Sequence, residues 1–455
     1  MLGIFVIGYL ILSIGIGLWA ARRVHNAEDF MLAGRSLPLS MATFTVFATW
    51  FGSETLLGAS STFAEEGLIG VIEDPFGASL CLLLVGLFFA RYFYRLRLLT
   101  LSDFFRDRFG KNAEWVSAIC MATSFFAWVA GQLVALGVVI HAIFGIEISK
   151  GIFLATGVVA VYTIAGGMWS VAVTDFVQTI FIIIGIVIVS IYITPVDFHW
   201  QGLVLPKDFF VFAPKSKSLL DWSNYFCAWI TLGLGSIPSQ DIFQRVMSSK
   251  DENVAARSAI LAGIMYLVIG MLPLYLAFMA KFVWHVQVED NQSLLTTLVV
   301  EHTPIVVQIM FFGALISAVL STASGAILAP ASVISENIIK PIFQITDSKK
   351  LLVVERIAVV FVTLLSMFLA MGNTNIYEMV GEASALGLVS LFVPMMMAIY
   401  WNKRSEFASI LSMVGGMGAY LYCSYIYPIT FPPLLVGLIT SLLGYVIPSL
   451  WIKKP

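Results

Sequence analysis

Apolar residues run through this chain in long blocks, and polar residues fall either between the blocks or, more rarely, inside them. A block of about 20 apolar residues makes a helix long enough to cross a hydrocarbon core roughly 30 Å thick. Thirteen such blocks are predicted, at roughly 3–21, 40–63, 69–94, 113–143, 148–165, 169–193, 221–238, 256–280, 304–335, 352–371, 378–400, 406–426 and 432–451. An all-α integral membrane protein follows, because inside lipid every backbone N–H and C=O must be bonded within the protein.

The interruptions inside blocks say more. Between Ser317 and Gly325 the ninth block carries Ser317, Ser321 and Ser324 at i, i+4 and i+7, with Ala318 and Thr322 alongside. Hydroxyls in apolar surroundings are costly without partners, and a desolvated cation is one such partner. The same hydroxyls bonding back to carbonyls one turn earlier is the structural alternative. In the second block, ATWFGSET (Ala48 to Thr55) places Gly52 and the charged Glu54 inside a helix. In the seventh, LGLGSIPSQ (Leu232 to Gln240) places two glycines and a proline where helix should continue. Unwinding there frees carbonyls for a cation and exposes helix ends to a ligand. Glycine at these points would equally serve close helix packing.

Both interrupted helices open a run of five, blocks two to six and seven to eleven. An odd number of helices per run inverts the second relative to the first, which predicts an inverted repeat with binding sites near the breaks. The expected division is 1–39 (N-terminal extra helix and cytoplasmic loop), 40–194 (first repeat), 195–220 (extracellular loop), 221–402 (second repeat) and 403–455 (two C-terminal helices).

Composition agrees: 59% of the 455 residues are hydrophobic and 11% charged, against roughly 25% charged in soluble domains. A soluble fold is excluded. The first block has no basic residues before it and Arg22 and Arg23 after it, so it reads as a retained helix rather than a secretory signal. With the N-terminus outside, 20 of the 25 Lys and Arg, Arg245 among them, fall in cytoplasmic loops. Only Lys150, Lys207, Lys215, Lys217 and Lys281 fall on the other side. The positive-inside rule therefore places the C-terminus in the cytoplasm, and short loops suit a bacterial inner membrane.

Other chemistries find little support. The net charge of −2 and the dispersed basic residues give no nucleic-acid footprint. No G-x-x-x-x-G-K-[ST] phosphate cradle occurs. The four cysteines, Cys81, Cys120, Cys227 and Cys423, show no C-x-x-C spacing. The five histidines fall in or beside loops and make no metal pair, and none sits mid-span as the base an intramembrane enzyme would need.

YTIAGGMWS (Tyr162 to Ser170), followed by Thr174, Asp175 and Gln178, resembles the signature of the sodium/solute symporters, a family with the LeuT-type inverted-repeat fold. GRSLP (Gly34 to Pro38) and QDIFQRVMSSK (Gln240 to Lys250) resemble two of its cytoplasmic segments. The resemblance implies a coupling sodium held by carbonyls of Ala48, Phe51 and Ala318 and hydroxyls of Ser321 and Thr322. Five oxygens suit such a hard cation. Some members hold a second sodium; Asp175, Ser321 and Ser324 match that arrangement, while Gly325 stands where those members carry another serine. Asp175 reads equally as a charge at its helix end paired with a loop residue.

Within the family the chain is most similar to the choline-transporter branch, through its TATW-type segment, GGxxSVxxTD and IPxQxxFQR. The resemblance makes Trp50 and Trp128 part of an aromatic cage for a quaternary ammonium ion, a cation–π site worth about 2 kcal/mol or more per desolvated ring. Ser239 stands where that branch has tryptophan and Ala78 where it has tyrosine. Thr55 and Glu54 are further candidates for solute contact. The expected function is sodium-coupled import of a small organic solute by alternating access, with choline or a related quaternary ammonium compound first. Proline, another amino acid or a different small solute is the alternative. Further rivals are proton coupling through Glu54 or Asp175 and a non-transporting sensor or channel.

Overall fold

The computed structural model describes residues 2–199, 203–372, 375–401 and 403–451, with the side chain of Tyr162 outside the described set. Asn402, the expected end of the second repeat, and residues 452–455 also lie outside it. Ten helices are long and apolar enough to cross a membrane. They include α1 (Leu2–Ala21), α4 (Leu68–Leu96), α5 (Lys111–Phe144), α10 (Glu252–Val283), α11 (Ile305–Phe343), α12 (Ser348–Ala370), α13 (Ile376–Tyr400), α14 (Glu406–Ile426) and α15 (Pro433–Leu450). The tenth lies in the helical run Ile148–Ile193, which Gly167 divides into α6 (148–166) and α7 (168–193).

The other three expected spans are built from shorter pieces. They are the segment before Gly167 and the two interrupted helices: α2 (Leu39–Trp50) with α3 (54–66), and α8 (Leu219–Gly235) with α9 (Gln240–Ser248). Length and composition alone thus support ten of the thirteen.

Gly167 explains the GG of the signature. Its φ is 48°, where L side chains are strained, and a Cβ there would come within 2.4 Å of the Phe30 carbonyl oxygen. The chain turns on it, and α7 is pinned to α1 by Ser170 Oγ donating to the Gly17 carbonyl at 2.5 Å. The two other signature segments meet in space. Leu37 N–H donates to the Ser248 carbonyl and Lys250 N–H to the Leu37 carbonyl, each at 3.0 Å.

Several helix starts are capped by side chains. Asp251 accepts from Asn253 and Val254 N–H at the start of α10, Asp347 from Lys349 N–H before α12, and Ser405 from Ala408 N–H before α14. Each such cap contributes about 1 kcal/mol. Large apolar side chains on α1 and α12, such as Ile4, Ile11, Ile357 and Phe368, stay exposed, as lipid-facing residues should. Helix α11 is the opposite case: it is mostly buried, against α2, α5, α6 and α7. Its hydroxyl stripe therefore faces protein, and what it faces decides its role.

Candidate functional site

The first break begins after Trp50. Phe51 takes φ −73° and ψ 76°, outside helix geometry. Gly52 N–H, which a continuous helix would direct at the Ala48 carbonyl, instead donates to the Trp50 carbonyl at 2.8 Å. The Ala48 carbonyl is freed, and α11 meets it: Thr322 Oγ1 donates to it at 3.0 Å, and Ser321 Oγ lies 3.4 Å away. Ser321 Oγ also donates to Asp175 Oδ1, on α7, at 2.5 Å. Ala48, Phe51, Ala318, Ser321, Thr322 and Asp175 are all buried to within 1% exposure.

The structure therefore brings together a main-chain carbonyl, two hydroxyls and a carboxylate from three helices. All are oxygen donors, the set a hard cation prefers. Asp175 Oδ2 has no hydrogen-bond partner. A buried, half-satisfied carboxylate is costly by itself and is relieved by a positive charge. On that observation the residues fit a sodium ion. Phe51 sits at the break, its ring stacked on Phe47 at 4.7 Å, and Ala318 lies one turn before Ser321. Ser317 and Ser324 turn elsewhere. Ser317 is bonded by the Tyr9 hydroxyl and back-bonds to the Gly313 carbonyl, while Ser324 Oγ donates to the Ser321 carbonyl at 2.9 Å.

Beyond the break, a pocket is lined by Trp50, Glu54, Trp128 and Ser239 together with Ser236, Ser384 and apolar residues. Four of the sequence-derived solute candidates thus share one cavity. Two do not line it. Thr55 turns toward α10, where its hydroxyl pairs with the Tyr266 hydroxyl at 2.6 Å, and Ala78 is fully buried in α4. Glu54 is held from α5: its Oε2 accepts from Gln132 Nε2 at 2.8 Å.

Sequence reasoning passed over four residues that build this site. Gln132, on α5 four residues after Trp128, takes the loosened Ser53 N–H on Oε1 at 3.3 Å while its amide N–H₂ holds Glu54. Tyr266 donates to the Trp50 carbonyl at 3.0 Å. Both are polar groups in mid-span, the signal that would have found them. Asp241 Oδ2 accepts from Trp50 Nε1 at 2.8 Å, and Arg245, four residues on, is 1% exposed. Arg245 is thus no loop residue, although it counts among the cytoplasmic basic set above. Its i, i+4 spacing from Asp241 was the missed clue.

The family model described as Sodium:solute symporter family matches residues 30–416. The chain belongs to the sodium:solute symporter family. Sodium is its coupling ion, a small solute its cargo, and the protein is a multi-pass membrane transporter. Among relatives, a high-affinity choline transporter 1 of Drosophila melanogaster is 28% identical over 90% of this chain and 68% of its own length. The osmoregulated proline transporter OpuE of Bacillus subtilis (strain 168) is 26% identical over 100% of this chain and 94% of its own. A Na⁺-coupled sialic acid symporter, solved substrate-bound and outward-open, superposes with a TM-score of 0.81 at 17% identity, covering 100% of this chain and 98% of that one. The symporter has the LeuT-type inverted-repeat fold.

Proposed function

We propose that this symporter imports a small organic cation, choline or a related quaternary ammonium compound, with sodium held at the Ala48, Ser321 and Thr322 crossing. The carrying observation is that Trp50, Trp128 and the Glu54 carboxylate line one pocket next to that crossing. Two indole rings supply cation–π attraction and the carboxylate a counter-charge, a combination suited to a cation. The choline-transporter relatives point the same way, whereas proline-transporter relatives of similar identity keep a zwitterionic solute as the second reading. The family and the relatives are transporters, and the protein is read as a carrier. Orientation follows the basic residues, N-terminus outside and C-terminus cytoplasmic, in a bacterial inner membrane.

Sodium favours the outward-open arrangement only by binding it better than the inward one. Ligands on α2, α7 and α11 supply that difference, since a rearrangement that separates the halves pulls them apart. A tenfold sodium gradient contributes about 1.4 kcal/mol, and one charge crossing 100 mV about 2.3 kcal/mol. One sodium per cycle then concentrates a neutral solute several hundredfold, and a cationic solute gains the membrane potential a second time.

The test is uptake of labelled choline into proteoliposomes under an inward sodium gradient, against potassium at equal membrane potential. Sodium-driven accumulation of choline is expected. Accumulation of proline instead would discard the cation reading and keep the symporter. Uptake that follows a proton gradient and ignores sodium would remove the proposed ion site. Binding of solute without accumulation would favour a sensor.

A further inference from the structure

The hydroxyl stripe of α11 stops at Gly325, and the structure gives a reason. A Cβ at that position would stand 2.1 Å from Arg245 Nη2 and 3.2 Å from its Cζ. The Arg245 side chain is packed against the bare backbone of α11, one turn below Ser321 and Thr322. A serine there would require the guanidinium to shift from its present position. Arg245 Nη1 donates to the Asp241 carbonyl at 3.3 Å, while Nε and Nη2 have no hydrogen-bond partner. Two carboxylates share its field, Asp175 on α7 and Asp241 on its own helix. Each has one oxygen bonded and one not: Asp175 Oδ1 holds Ser321 and Asp241 Oδ2 holds Trp50, while Asp175 Oδ2 and Asp241 Oδ1 are unpartnered.

We propose that Arg245 is a built-in cation that takes the place of a second sodium beside Asp175, so this transporter carries one sodium per cycle. The inference rests on the sodium site proposed above. Its physical basis is charge and space. With both carboxylates ionised, Arg245, Asp175 and Asp241 together carry one net negative charge in a buried site, and a single sodium at Ala48, Ser321 and Thr322 neutralises it. A second sodium would leave an uncompensated positive charge in a low-dielectric interior, which is strongly disfavoured. It would also lack a hydroxyl at position 325 and would meet the guanidinium. A fixed arginine supplies the electrostatic balance of an ion without having to be transported.

Sodium binding to the purified full-length protein tests this without relying on transport. Equilibrium binding of ²²Na⁺, with sodium-dependent thermal stability as a second readout, is expected to give one ion per chain and a Hill coefficient near 1, with and without choline. Two ions per chain would overturn the proposal while leaving the symporter and its first site intact. No binding at all would bring down the sodium site itself, and the proposal with it. The double variant Arg245→Gln, Gly325→Ser removes the guanidinium and restores a hydroxyl. It is expected to raise the count to two and the Hill coefficient above 1. A folded double variant that still binds one ion would show that Arg245 is not what excludes the second.

Discussion

The two broken helices differ in what bonds their loosened backbone. At the first, between α2 and α3, side chains from three other helices take the freed groups: Thr322 of α11 on the Ala48 carbonyl, Tyr266 of α10 on the Trp50 carbonyl, and Gln132 of α5 on the Ser53 N–H. At the second, between α8 and α9, the chain closes on itself. Ser236 N–H reaches the Leu232 carbonyl at 3.4 Å and Ile237 N–H the Leu234 carbonyl at 3.1 Å, and one hydroxyl pair, Ser236 with Ser384 at 3.0 Å, reaches outward. The same device, an unwound helix, serves two purposes. One break presents the Ala48 carbonyl to the hydroxyls of α11, and the other brings a charged helix, with Asp241 and Arg245, against the first.

This contrast is sharpest where charge is involved. Asp241→Ala removes one of the carboxylates offsetting the buried Arg245 and strands Trp50 Nε1. It is expected to cost about 3–5 kcal/mol of stability, read as a fall in thermal midpoint and in recovery of monodisperse protein. An unchanged midpoint would mean that the second break carries no electrostatic weight. Thr322→Ala takes away an oxygen at the first break and is expected to raise the sodium half-saturation of uptake by about tenfold to a hundredfold, or about 1.4–2.8 kcal/mol, with expression intact. Identical sodium dependence in that variant would refute the assignment of α11 as an ion ligand.

Trp50→Ala should weaken cation binding about tenfold or more, on the scale of one desolvated cation–π contact, and sodium binding much less. Equal losses in both would make Trp50 a packing residue. Ser236→Ala is the mildest change: it deletes one neutral hydrogen bond worth about 1 kcal/mol. Its sodium half-saturation should move by less than about threefold, and a shift as large as that of Thr322→Ala would erase the distinction between the breaks.

Much of this was readable in the chain. Both breaks lie within the stretches Ala48 to Thr55 and Leu232 to Gln240 that glycine, proline and charge marked out, and Ser321 and Thr322 meet Ala48 at the first. The stripe could be read because helical spacing is local information. The pocket could be read only in part. Trp50, Glu54, Trp128 and Ser239 line it, but Thr55 faces Tyr266 and Ala78 sits inside α4, since which way a residue turns beside a break depends on the helix packed against it. Arg245 was the least legible. An arginine in a polar segment near a helix end looks solvated, and only the missing side chain of Gly325, 80 residues later, makes room to bury it.

The hydrogen bond from the Trp50 indole to Asp241 joins a wall of the pocket, at the first break, to the helix that follows the second. Bonds to a charged group are worth roughly 1.5–3 kcal/mol. A bond of that strength, present in one arrangement of the halves and absent in the other, holds their populations apart by about ten- to a hundredfold. A bond that breaks between the two arrangements would act as a latch, with the pocket against the indole on one side of it and the buried charges around Asp241 on the other.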